Sequence, residues 1–330
     1  MNRARPVTIT ASVLLAACLA GSVVALRKVD ELRTGATLED VLFVTSSKAL
    51  KRLSLGYDGL LADIYWTRAV QYFGNRHTAR ASHFHLLPPL LTITTELDPH
   101  LIVAYEFGAS FLSPPPPDGA GRADAAIRLM EFGIANNPEN WRLYYDLGFI
   151  YYMDLKDYTG ATEAFLRGSQ VPHAHPFLKV LAAQMAQHAG DTQMARALWT
   201  TTYQTSQDRQ IRANAVAHLR ALQVTEDVIG LEDLIRQYEL HQGRPPNSLS
   251  ELVGAGMLRA IPVDPTGRPY KIVGGGRVEV QDPDDIPFIE KGVPPGYTPP
   301  PPKHLEDTGI PSRSPSHDSA PRLALGEKAR

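Results

Sequence analysis

Asp98-Pro99, Asn137-Pro138 and Val171-Pro172 recur along the chain, the second proline 39 residues after the first and the third 34 residues after the second. Proline removes a backbone donor and disfavours helix in the residue before it, so each dipeptide closes a helical stretch. Between these stops the apolar residues keep a helical period. Leu50, Leu53, Tyr57, Leu60, Leu61, Ile64, Tyr65, Ala69 and Tyr72, for example, fall at intervals that make one buried stripe. Pro88-Pro89 forces a kink or a break near Leu87. Pairs of helices at a spacing of 34 to 39 residues lie in the range of helix-turn-helix repeats, each of which buries its apolar face against its neighbours. The expectation is a mainly α chain built as a helical-hairpin solenoid over residues 50–228.

Small and large residues within the repeats sharpen this. Ala126, Met130, Gly133 and Pro138 are followed by Tyr144, Leu147, Gly148 and Tyr151, then by Ala161, Phe165, Gly168 and Pro172. A further unit runs from Leu181 to Thr202, with Gly190-Asp191 as its turn and Ala195, Trp199 and Thr202 in its second helix. This pattern resembles the tetratricopeptide repeat over about residues 50–222, with Met130 in place of an aromatic and Pro172 one place early. Close helix crossings need the small residues, and the large ones fill the adjoining holes. The four prolines of Ser113–Gly119 mark a lengthened surface loop. The resemblance implies a groove lined by the first helix of each pair, at Arg142, Tyr145, Phe149 and Tyr152 and at Tyr105 in the preceding unit. Aromatic side chains there suit an apolar or extended peptide segment of a partner protein. The lysine and asparagine clamp for terminal carboxylates is absent at those positions.

From Ile229 the pattern changes. A helix through Leu231, Leu234, Ile235 and Tyr238 stops at Gly243, a short helix covers Leu249–Val253, and two short strands flank Gly274-Gly275-Gly276. The order Tyr238, Gly243, Arg244, Pro246, Leu249, Leu252, then Pro262, Asp264, Pro265, Gly267, Pro269 and Tyr270 resembles the soluble end of type II secretion major pseudopilins. It implies a small α+β module at 229–281. In pseudopilins that unit directly follows the N-terminal transmembrane helix, whereas here about 200 residues intervene. Residues 282–330 hold 11 of the 27 prolines and few apolar anchors, which predicts a disordered tail.

At the other end, no charged residue falls between Val7 and Leu26, and 20 such residues span roughly 30 Å as a helix, the thickness of a bilayer core. Residues 1–28 are expected to anchor the chain in a bacterial inner membrane as a single pass through 7–26, with the bulk in the periplasm. Leu15-Ala16-Ala17-Cys18 offers the alternative of a lipoprotein acylated at Cys18. Residues 29–49 are then a lead-in linker. The single cysteine rules out an internal disulfide and a thiolate zinc site. With 33 basic against 35 acidic residues, no nucleic-acid partner is expected.

Catalytic signals are sparse. His83 and His85, with His77 nearby, and His173 with His175 invite a metal reading, but residues two apart on a helix face different ways. Asp58, Asp63 and Arg68 lie on an otherwise apolar helix, and Asp63 is expected to hydrogen-bond to a neighbouring hairpin. Gly274-Gly275-Gly276 precedes no helix and so cannot cradle phosphate. No catalytic residue, metal or cofactor is assigned. The leading expectation is a non-enzymatic, membrane-anchored scaffold that binds other proteins, in a secretion, pilus or other envelope complex. Two alternatives stand beside it: an envelope hydrolase or metal-dependent enzyme, and a structural pseudopilin-like subunit.

Overall fold

The computed structural model describes residues 14–15, 17–24, 27–28, 46–300, 305 and 308–311. Of the expected membrane segment, residues 7–13, 16, 25 and 26 lie outside the described residues, as do 29–45 of the lead-in and most of 301–330. Among the described residues no helix is long and apolar enough to cross a membrane. The protein is mainly helical with one two-stranded sheet, and it divides into two compact units, residues 1–104 with 115–120 and residues 105–114 with 121–330.

In the first unit, α1 (Ser47–Leu53) and α2 (Asp58–Thr78) pack on α3 (Leu87–Leu97). The periodicity reads as one helix from Lys48 to Tyr72, yet the chain breaks at Ser54–Tyr57. There Leu55 and Gly56 take positive φ, and the Ser54 hydroxyl bonds the Asp58 carboxylate at the start of α2. Pro88 and Pro89 occupy the first turn of α3, where missing backbone donors cost nothing, so the anticipated break is a helix start. The buried stripe of α2 is Ala62, Tyr65, Ala69 and Tyr72. Asp63 is exposed, which corrects the expectation that it pairs with a neighbouring hairpin: its position falls on the solvent side of that stripe.

The second unit takes α4 (Ile102–Leu112) from Tyr105 onward, then α5 (Ala123–Asn136) and α6 (Trp141–Phe149), which widens into a π-helical turn at Ile150–Leu155. It continues through α7 (Tyr158–Ser169), α8 (Phe177–His188), α9 (Thr192–Thr205) and α10 (Arg209–Gln242). Each helix from α5 to α10 packs on the next. Side-chain acceptors set several starts, with Asn140, Asp157, Asp191 and Asp208 each receiving a backbone N–H of the first turn. The small residues lie where the helices approach most closely. A Cβ on Gly133 would stand 2.7 Å from the Tyr105 ring, one on Gly148 would stand 2.4 Å from the Phe165 ring, and one on Gly168 would stand 2.7 Å from Tyr144 Cβ.

Helix α10 has 34 residues and runs straight through the expected domain boundary at 228. Its first half packs Ala215, Leu219 and Leu222 against Trp199 of α9, and its second half gives Val228, Leu231, Ile235 and Tyr238 to the C-terminal core. The change in sequence character at Ile229 is therefore a change of packing partner along one helix.

Gly243, at φ 71°, ends α10, and Arg244 turns back so that its guanidinium bonds Glu251 of α11 (Leu249–Gly254), which also accepts from the Tyr238 hydroxyl. Asp264 Oδ1 accepts from the Thr266 and Arg268 backbone N–H groups at 2.8 and 3.1 Å, and Gly267 takes φ 88°. This turn delivers Tyr270 to the core, where its hydroxyl donates to buried Asp227 of α10 at 2.9 Å. β1 (Lys271–Val273) then pairs antiparallel with β2 (Arg277–Glu279), with Ile272 opposite Val278. The expected disordered tail does not begin at 282. Ile286 and Ile289 are buried, the Val280 N–H bonds the Gly292 carbonyl at 2.8 Å, and Tyr297 bonds Asp284. Proline suits extended packed chain as well as disorder, and the two isoleucines join the C-terminal core, with Val293 and Tyr297 packed against it.

Candidate functional site

Helix α6 presents Trp141, Arg142, Tyr145, Phe149 at helical intervals, so these side chains share one flank while Leu143, Tyr144 and Leu147 face the core. On that flank lies a cleft of about 540 Å³. Its walls are Trp141, Arg142, Tyr145 and Asp146 of α6, Glu106 and Phe107 of α4, and His175 and Phe177 before and at the start of α8. The loop His173–Pro176 is held by the Phe177 N–H donating to His175 Nδ1 at 3.2 Å, and His175 lies 6.2 Å from Trp141, ring to ring.

Aromatic side chains continue beyond the cleft. Tyr145 meets Phe149 at 4.7 Å between ring centroids, Phe149 meets Tyr152 at 6.1 Å, Tyr152 meets Tyr158 at 6.1 Å and Tyr158 meets His188 at 5.6 Å. The π-helical turn carries Tyr152 in this row. Such wide turns are uncommon and re-aim side chains relative to an α-helix. Below the row, fully buried Phe165 touches both Tyr145 and Phe149.

The charges in the cleft are unequal. Glu106 and Asp146 enter it from different helices, while the one guanidinium, that of Arg142, lies over the Trp141 ring at 5.3 Å. Burial pushes the Asp146 carboxyl up to about 7, the Glu106 charge adds to the effect, and Arg142 opposes it. A carboxylate so placed is stabilised by any cation that enters.

Of the groove residues read from the sequence, Arg142 and Tyr145 line the cleft and Phe149 and Tyr152 extend from it. Tyr105 does not belong with them. It is fully buried beneath Gly133, and its neighbours Glu106 and Phe107 face the cleft instead. A tyrosine there fills the hole that Gly133 leaves, so it acts as a core residue. Cys18, in the described stretch 17–24, is exposed. Asp146, Glu106 and Trp141 were not singled out, and His175 only with His173 as a metal candidate, although Asp146 lies four residues after Arg142 on the same helix and was visible in that spacing.

The histidines singled out for metal binding occupy separate surroundings. His77 Nδ1 lies 2.9 Å from the Pro117 carbonyl, the His83 carbonyl accepts from Arg76, and the His85 ring meets Tyr72 edge-on. Among the described residues no three of His, Cys, Asp and Glu gather as a metal would need. The chain matches no protein-family model and no curated protein.

Proposed function

We propose that the chain is a tethered binding scaffold that holds extended segments of other proteins along the flank of α6. The observation that carries this is the cleft itself, half-buried aromatics on one helix face continuing as a row of rings. Aromatic walls contribute large contact area at low conformational cost, the usual composition of a protein-binding hot spot. The repeat reading supports it: glycines at 133, 148 and 168 sit against large rings and side chains, which is the packing that tetratricopeptide-like hairpins require. The interlocked Tyr238, Arg244, Glu251 and Asp264 turns likewise support a pseudopilin-like module as a second contact surface. The uncharged run 7–26 supports a membrane tether with the bulk on the periplasmic side, and Cys18 supplies a lipid-anchored variant of the same placement.

The test is crosslinking in membranes with the wild-type chain and with a Tyr145→Ala, Phe149→Ala double variant, followed by mapping of the crosslinked segment. A synthetic peptide of that segment is expected to bind the wild-type chain and not the variant. Identical crosslinks and equal peptide affinity for both chains would remove the cleft from the function. Deleting 7–26 is expected to release the chain from membranes, and Cys18→Ala separates the two tethers, since it releases the chain only if a lipid holds it.

A further inference from the structure

We infer that the segment held in this cleft carries a lysine or arginine whose cationic head sits between Glu106 and Asp146, with its alkyl stem and its neighbours against the aromatic walls. This rests on the reading above that the cleft takes an extended protein segment.

Several acids of this protein are matched at close range: Asp124 by Arg122, Glu131 by Arg167, Glu226 by Arg196 and Glu251 by Arg244, all at 2.8 to 2.9 Å. Glu106 and Asp146 are the two acids of the cleft lining, and no arginine or lysine among the described residues matches them in this way. Among the described residues neither carboxylate has a hydrogen bond or an ion pair, although both open into the same concave site and Asp146 is half-buried. Two like charges that enter one cleft from different helices, one of them half-buried, cost free energy that a cation or a proton relieves. Burial and Glu106 already draw a proton toward Asp146. The remaining charged or titratable groups of the lining are Arg142, engaged over Trp141, the Tyr145 phenol, and His175, which accepts from the Phe177 N–H.

The walls point the same way. Trp141 and Tyr145 offer ring faces and edges beside the acids, and Phe107 and Phe177, 52% and 44% exposed, stand at the mouth. A cation near such rings is attracted by their quadrupole, and the apolar stem of lysine or arginine covers ring surface while the head reaches the carboxylates. An acidic segment would add a third negative charge, and a purely apolar one would leave both carboxylates desolvated. The complementarity therefore selects a basic residue flanked by apolar ones.

The experiment pans a random dodecapeptide phage library on the purified full chain, on a Tyr145→Ala chain and on a Glu106→Gln, Asp146→Asn chain, with folding of each checked by circular dichroism. The expected result is enrichment of peptides with a lysine or arginine beside apolar residues on the wild type. The Tyr145→Ala chain is expected to lose the enrichment, and the double variant to keep the apolar preference without the basic one. Replacing that basic residue by glutamine in a synthetic copy of a recovered peptide is expected to weaken binding by about tenfold or more. Peptides that depend on Tyr145 but carry no basic residue, or that the double variant recovers equally, overturn this inference and leave the cleft reading standing. No enrichment, or enrichment indifferent to Tyr145→Ala, overturns both.

Discussion

Alanine at position 148 sets two effects of opposite sign against each other. At a helical position alanine is favoured over glycine by about 1 kcal/mol, so helix propensity alone predicts a more stable protein. Packing predicts the reverse. The new Cβ would meet three atoms of the Phe165 ring at 2.4, 2.6 and 2.7 Å, closer than non-bonded carbons approach. The ring has little room to yield, because it is fully buried and touches Phe149 at 5.5 Å and Tyr145 at 6.3 Å between centroids. Forcing a methyl into a packed site costs about 1–3 kcal/mol, so the sum is a loss of roughly 1 kcal/mol in urea unfolding. Gly230→Ala is the matched control. It too is helical and in the second unit, but nothing lies within 4 Å of its Cβ, so it is expected to gain about 0.5–1 kcal/mol. If Gly148→Ala raises the urea midpoint as much as Gly230→Ala, the close approach of α6 and α7 is not what position 148 is for. Because Phe165 supports Tyr145 and Phe149, the variant is also expected to weaken peptide binding in the cleft.

His218 lies stacked between Trp199 and Phe288, at 4.1 and 4.0 Å, and burial holds its pKa at about 3 against the ordinary 6.5. Its contribution to stability is whole above pH 6.5 and is lost as pH falls toward 3, by up to about 1.4 kcal/mol per pH unit, so unfolding of a His218→Phe chain should depend less on pH across that window. Asp146 acts in the opposite sense: with its carboxyl raised to about 7, the folded state binds the proton more readily than the unfolded state does. Asp146→Asn is therefore expected to be more stable than the wild type at pH 8, the gap narrowing as pH falls below 7, while it binds its peptide more weakly. Tyr270→Phe leaves fully buried Asp227 without that donor and should lower stability by about 1–3 kcal/mol; an unchanged urea midpoint would mean the hairpin is not pinned to α10 through this bond.

Much of this architecture was legible because it depends on local rules. The intervals of Tyr144, Leu147 and Gly148 and of Ala161, Phe165 and Gly168 follow from how helices cross, and three glycines between β-type residues at 274–276 specify a hairpin. What was hidden depends on context. Leu55 in a left-handed conformation splits a stripe that looks continuous, because periodicity reports facing direction and not chain breaks. Tyr105 and Glu106 are adjacent, and only the position of Gly133 decides that the first is core and the second is cleft. Ile286 and Ile289 sit among prolines, where composition suggests no fold, yet each reaches a core built by residues far away in sequence.

The unbroken α10 has a mechanical consequence. At 1.5 Å per residue its 34 residues extend about 50 Å, with the helical array on one half and the hairpin module on the other. No flexible joint separates them, so the module cannot swing on a leash and cannot be grafted elsewhere as a cassette without a stub of raw apolar helix. A pull on the module travels as tension along the hydrogen-bonded ladder of one rod and loads the seam with α9, where Arg196 and Glu226 meet at 2.8 Å. The rod makes the two halves share any force.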